Sequence, residues 1–193
     1  MSRFFAMLAI ALACAACAAD QGDPADKPAS AATPGCIAAG GGYLKAQLRG
    51  AVVADLNWNN DDMLCEGGPR PDGQGLRIAL AGPLPDGVAA AARSVRFIFG
   101  VDLRDIAAGS AQALPTNLTL ILEGAGQAFA TRGDGRCAIE ELTRTPLLAS
   151  GGKLDRVQAR GYCTSPATDL AGEATLLVPT FEFTGMVKTG TDP

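Results

Sequence analysis

The sequence has no histidine. That absence removes histidine triads, histidine general bases and the commonest zinc ligand. Aromatic residues make up 5 % of the chain. The only tryptophan, Trp58, falls on the apolar face of a strand-like segment, where core packing outranks sugar stacking. No basic patch offsets the formal charge of -4, so nucleic acid is not an expected partner. The apolar run at the N-terminus falls short of the roughly 20 residues a membrane-spanning helix needs. No cofactor motif is present, and no cofactor is expected.

What the N-terminus does hold is an export signal. Arg3 precedes the apolar run Phe4-Phe5-Ala6-Met7-Leu8-Ala9-Ile10-Ala11-Leu12-Ala13, and small residues and cysteines follow. The Cys14-Ala15-Ala16-Cys17 stretch resembles the lipobox of bacterial lipoproteins. In that family a cysteine after small residues is lipidated and becomes the new N-terminus. Both Cys14 and Cys17 fit, and parity favours Cys17. Using Cys17 for lipid leaves an even four, Cys36, Cys65, Cys137 and Cys163, whereas cutting before Cys14 strands Cys17 as an odd thiol. Ordinary cleavage near Ala19 is the other alternative. Residues 1–16 are therefore expected to be a lipoprotein signal peptide with Cys17 as the lipidation site. The residue after Cys17 is Ala18 and not aspartate. The resemblance therefore implies the outer membrane, with the domain facing the periplasm or the cell surface.

Residues 17–35 are rich in Pro, Ala and Asp and poor in large apolar side chains, which makes them a flexible tether. The seventeen residues from Ala18 to Pro34, at most about 3.3 Å each, would reach roughly 55 Å fully extended. The folded domain is expected over residues 36–190. From Leu44 to Trp58 every even position is apolar or glycine, a period of two that marks a strand. Its length predicts a bend or bulge at Arg49-Gly50. Further alternating runs cover Leu76–Leu80, Val95–Phe99, Leu118–Leu122, Val157–Cys163 and Phe181–Val187. Shorter strands at Ala128–Thr131 and Arg136–Leu142 are joined by a turn at Asp134-Gly135. Only Val88–Ala92 and Leu103–Ala107 read as helical. Eight or nine mainly antiparallel strands with Gly/Pro punctuation indicate an all-β fold, a jelly-roll-like β-sandwich, with a closed barrel as the alternative.

Four cysteines in an exported chain predict two disulfides. Cys137 starts a strand and Cys163 ends one, while Cys36 opens the domain and Cys65 follows its first long strand. These placements favour Cys137–Cys163 with Cys36–Cys65.

Several motifs invite a chemical reading. Asp55, Asn57, Asn59, Asp61 and Glu66 match the ligand spacing of a calcium loop. Asn60 stands where that loop wants glycine, Asp62 where it wants an apolar residue, and a strand rather than a helix precedes it. A polar turn at a strand end is preferred to a metal site. Ser150-Gly151-Gly152-Lys153 and Lys188-Thr189-Gly190 spell two motifs of penicillin-binding enzymes, but Gly151-Gly152 disfavours the helix that chemistry needs. Arg132-Gly133-Asp134 spells an adhesion tripeptide where a hairpin needs a turn. Glu140-Glu141, as strand neighbours, should point to opposite faces, and with Asp61-Asp62 they read as solvated charge. Tyr43 and Tyr162 fall on the face opposite the core and are candidate binding aromatics.

Several segments together resemble a group of uncharacterised proteobacterial lipoproteins and secreted β-domain proteins. They are Leu56-Asn57-Trp58, Cys65-Glu66-Gly67 with Pro69-Arg70-Pro71, Pro115-Thr116-Asn117-Leu118-Thr119, Arg160-Gly161-Tyr162-Cys163 and Phe181-Glu182-Phe183-Thr184-Gly185. The resemblance implies an exported, anchored domain and carries no activity. The expected function is a non-catalytic envelope lipoprotein, held to the membrane by its N-terminal lipid, with an envelope protein or a glycan as ligand. The alternatives are a carbohydrate-active module or hydrolase using carboxylates, and a partner-protein or inhibitor module.

Overall fold

The even-numbered apolar residues from Leu44 to Trp58 form a hairpin in place of one bent strand. In the computed structural model, which describes residues 35–104 and 113–189, β1 (Tyr43–Gly50) and β2 (Ala54–Asn59) pair antiparallel. Leu44 opposes Trp58 and Ala46 opposes Leu56. Even positions of both strands therefore share the buried face, and the alternation crosses the turn unbroken. The chain turns at Gly50, whose φ is 122°.

β3 (Leu64–Pro69), β4 (Gly75–Pro83), β5 (Ser94–Asp102) and β6 (Leu114–Glu123) continue as an antiparallel meander. The remaining strands are long strands with interruptions. β7 (Gln127–Ala130) and β8 (Cys137–Pro146) both pair with β6. On their other edge they meet β10 (Ala167–Asp169) and β9 (Leu154–Cys163) respectively. The Asp134-Gly135 segment is thus a jog through a 3-10 turn at Asp134–Arg136 and not the hairpin its sequence suggested. Thr131 bridges the break, its Oγ1 accepting from the Leu118 N–H at 2.9 Å. β11 (Thr175–Leu177) and β12 (Phe181–Lys188) lie along one edge of β1, opposite β2.

The fold is all-β and antiparallel in one sheet, running from β2 through β1, β11/β12, β9/β10, β7/β8, β6, β5 and β4 to β3. With β7/β8, β9/β10 and β11/β12 each counted as one interrupted strand, sheet neighbours are chain neighbours apart from the pairing of β1 with β11/β12. The connectivity is a meander, without the Greek-key crossovers of a jelly roll. Val88–Ala92 forms turns and bends, not the expected helix, and only Leu103 and Arg104 of the second expected helix lie among the described residues. Residues 1–34, which hold the expected signal peptide, Cys14, Cys17 and most of the tether, lie outside them.

The two edge strands, β2 and β3, are consecutive in the chain and joined by a 3-10 turn at Asn60–Asp62. A sheet whose edges share so short a connection must curl, and twist supplies the direction. Its apolar face closes on itself as a sandwich-like core. Phe99 of β5 meets Phe181 and Phe183 of β12 at ring-centroid distances of 4.8 and 4.9 Å. Trp58 is 4 % exposed, stands edge-on to Phe97 at 5.8 Å, and donates its indole N–H to Pro83 O at 2.9 Å.

No ladder joins β2 to β3 among the described residues. Other contacts close that seam. The Cys36–Cys65 disulfide ties the start of the domain to β3. Asn60 Oδ1 accepts the N–H groups of Ile37 and Gly42 at 2.9 and 3.1 Å, and Asn60 O accepts the Cys36 N–H at 2.9 Å. Gly67 lies against β12, where a Cβ would come within 2.6 Å of Val187 Cγ1 and 2.9 Å of Met186 O. Gly67-Gly68 therefore reads as a turn in sequence but serves as a strand that packs by its backbone. The second bridge, Cys137–Cys163, joins directly opposed residues of β8 and β9. Both bridges are the pairings favoured from the sequence. They span separations of 29 and 26 residues, for which loop-closure entropy gives about 3.5 kcal/mol each.

Gly82 lies beneath the indole: a Cβ there would sit 2.7 Å from Trp58. Gly82→Val is expected to overpack this contact and cost about 1–3 kcal/mol. Urea unfolding should show it as a lower midpoint at unchanged slope. An unchanged midpoint would contradict the placement of Trp58 against β4.

Candidate functional site

The outward face of β2, β1, β12, β9 and β8 is the most organised polar surface of the domain. Strand alternation turns one residue in two to solvent, and register aligns them in rows across the strands. One row runs Asn57, Lys45, Glu182, Arg160, Glu141, each opposite the next on the adjoining strand. Its charges alternate in sign, the arrangement that stabilises cross-strand pairs. Arg160 Nη2 donates to Glu141 Oε1 at 2.8 Å. The adjacent row places Tyr43 beside Thr184, and Thr184 beside Gln158. Tyr43 Oη donates to Glu182 Oε1 at 2.5 Å and accepts from Gln158 Nε2 at 3.4 Å. The Lys45 ammonium stands 5.7 Å from the Tyr43 ring centroid, a cation–π contact.

A shallow groove of about 470 Å³ runs over these rows, its polar rim including Lys45, Gln47, Asp55, Asn57, Arg160 and Glu182. Ala46, Leu56, Gly161 and Phe181 also border it, although the side chains of Ala46, Leu56 and Phe181 are buried in the core on the other face of the sheet. Arg160 and Glu182 also border a smaller hollow with Glu141, Thr143 and Gln158. Glu140 and Glu141 depart from the expected alternation. A bulge between Ile139 and Glu141 leaves Glu140 without a partner, so both glutamates are exposed. Glu140 borders the larger groove and Glu141 the smaller, with Arg160 bordering both.

The calcium-loop residues are not brought together. Asp55, Asn57 and Asn59 project from a strand, where alternate residues stand about 6.8 Å apart, too far to wrap one ion. Asp55 pairs with Arg49 at 2.7 Å, and Glu66 pairs with Arg77 at 3.4 Å. The turn is instead held by Asp62, whose Oδ2 accepts the Asn59 N–H at 2.8 Å, and by Asn60. Among the described residues no group of three acidic or cysteine side chains could hold a metal.

The adhesion-like Asp134 is taken up internally. It accepts from Asn117 Nδ2 at 2.5 Å and pairs with Arg70 at 3.3 Å. Burial works against the Arg70 charge, but Asp134 and Asp72 outweigh it and raise the guanidinium pKa. Ser150 closes a turn, donating to Leu147 O at 2.6 Å and accepting the Leu154 N–H at 3.1 Å, so its hydroxyl proton is committed. Thr189 does reach that turn, donating to Gly152 O at 2.9 Å, but the serine ends a short 3-10 turn, Leu148–Ser150, and does not start an α-helix. Among the described residues three carboxylates have displaced pKa values, and all three move down. Asp102 falls to about 2, first through the Arg104 side chain and then the Arg104 N–H. Glu123 is lowered by the Ser94 hydroxyl and by Arg96 against the effect of burial, and Asp72 by the Gln74 N–H. A general acid needs a shift the other way.

Comparison with protein-family models, curated proteins and solved structures finds no match. The groove therefore has to be read from its own residues. Sequence periodicity placed Tyr43 outside, but its bond to Glu182 depends on the first and last strands pairing, which no local pattern reveals.

Tyr43 is raised above its ordinary value of 10.0, first by burial and then by its bond to Glu182. Its stabilising contribution is therefore present below about 10 and lost as pH rises through the raised value. Ultraviolet titration of the phenols, with Tyr43→Phe for assignment, is expected to show this. Glu182→Gln should lower the Tyr43 value in part, since burial remains. No movement would contradict the bond. Asp102 supplies the opposite limb: its contribution is complete above about 3.8 and lost as pH falls toward about 2. Asp102→Asn should flatten acid unfolding over that range. An unaltered acid limb would contradict the Arg104 pairing.

Proposed function

We propose that this chain is an exported lipoprotein, anchored in the outer membrane through Cys17, whose β-domain binds or supports and does not catalyse. The observation that carries the reading is the pair of disulfides, Cys36–Cys65 and Cys137–Cys163, in a domain that follows an export signal. Such bridges persist in oxidising compartments. The Pro- and Ala-rich segment before Cys36 supports a domain standing clear of the membrane. Three of the outward carboxylates that border the groove or the smaller hollow beside it are already committed, which supports binding over catalysis: Glu182 accepts from Tyr43, Glu141 from Arg160, and Asp55 from Arg49.

A module docking a partner through a flat apolar patch is less well supported. The exposed large apolar residues among those described are Val53, Leu64, Leu148 and Leu170. One begins β3 and the others sit in three separate turns, so they form no common strand face.

Metabolic labelling with a fatty acid tests the anchor. Wild type should be labelled and sediment with outer membranes, whereas Cys17→Ala should be unlabelled and Cys14→Ala should keep its label. Wild-type protein released unlabelled with the periplasmic contents would contradict the proposal.

A further inference from the structure

We infer that the groove over β2, β1, β12 and β9 is a binding site for a neutral, hydroxyl-rich glycan strand; this rests on the reading of the domain as a binding module. The shape comes first. Five strands at about 4.8 Å spacing carry the Asn57-to-Glu141 row roughly 19 Å across the sheet. Two irregularities border the groove. The ladder breaks between β11 and β12, where Gln47 N still reaches Thr180 O at 3.3 Å, and β8 bulges at Glu140. The result is a shallow polar-rimmed trough on a rigid sheet, suited to an extended chain and too open to enclose a small molecule.

Charge then selects the ligand class. Lys45 and Arg160 line the trough together with Asp55, Glu140 and Glu182. Arg160 is committed to Glu141, Asp55 to Arg49, and Glu182 to Tyr43. No block of one sign is left to hold a polyanion or a polycation, because charges of both signs are interspersed along the trough. The same pairing fixes these planar groups in place before any ligand arrives, which reduces the ordering cost of binding.

Hydrogen-bond capacity narrows it further. Among the described residues, the side chains of Gln47, Asn57 and Glu140 make no hydrogen bond or ion pair, although their neighbours do. Each of the two amides offers both a donor and an acceptor, matching a hydroxyl that also does both. Binding by these groups makes and breaks no covalent bond.

The test uses the full-length protein in detergent, titrated calorimetrically with chitohexaose and with cellohexaose, and with heparin as a polyanionic control. Saturable binding to a neutral hexasaccharide is expected, and the double variant Gln47→Ala/Asn57→Ala should weaken it about tenfold or more. Both residues are exposed and unbonded, so the melting temperature should not move. Three results overturn the inference: no heat with either hexasaccharide at millimolar concentration, equal affinity in the double variant, or tighter binding to heparin than to both neutral sugars. Fatty-acid labelling of the same preparation separates the two readings. A labelled protein that ignores both sugars removes the glycan site and leaves the anchored lipoprotein standing.

Discussion

The fold depends on closing one seam. β2 and β3 follow each other in the chain yet stand at the two edges of one sheet, with no ladder between them. Unpaired edges leave backbone donors and acceptors open to pairing with other chains. Here a disulfide, the Asn60 side chain and the backbone packing of Gly67 on β12 bring those edges together. The curl that results puts the phenylalanines of β5 and β12 face to face and buries Trp58 between β2 and β4. Hydrophobic burial supplies the driving force, twist the direction, and the disulfide holds the closing edges near each other.

The same seam organises the outer surface. β2 contributes Asp55 and Asn57 to the groove, and β1 contributes Lys45 and Gln47. β2 is held on one edge by β1 and on the other only by the seam contacts. Cross-strand charge pairs contribute roughly 0.2–1 kcal/mol each. The ladder of Lys45, Glu182, Arg160 and Glu141 therefore matters more for positioning side chains than for holding the domain together. Disulfide, edge strand and groove form one chain of dependence.

Much of this architecture is legible in the sequence, and the rest is hidden for identifiable reasons. Period-two alternation marks β4, β5, β6, β9 and β12, because each has one buried and one solvated face. The β1–β2 hairpin hides inside a single run because Leu44 opposes Trp58, so both strands keep the same parity. β3 is masked by Gly67-Gly68-Pro69, where Gly67 answers a close approach to β12 and not a turn. The Cys137–Cys163 bridge follows from strand ends, since a cysteine that starts one strand and a cysteine that ends its antiparallel neighbour lie close. The Glu140 bulge and the Tyr43–Glu182 bond have no local signal, for both arise from pairing between distant strands.

Amide hydrogen exchange compared between wild type and the Cys36→Ser/Cys65→Ser double variant tests the seam most directly. Opening the bridge should speed exchange in β2, β3 and the Ile37 and Gly42 amides by more than in β5, β6 and β9. An equal change in every strand, or none, would contradict a fold that closes through this seam.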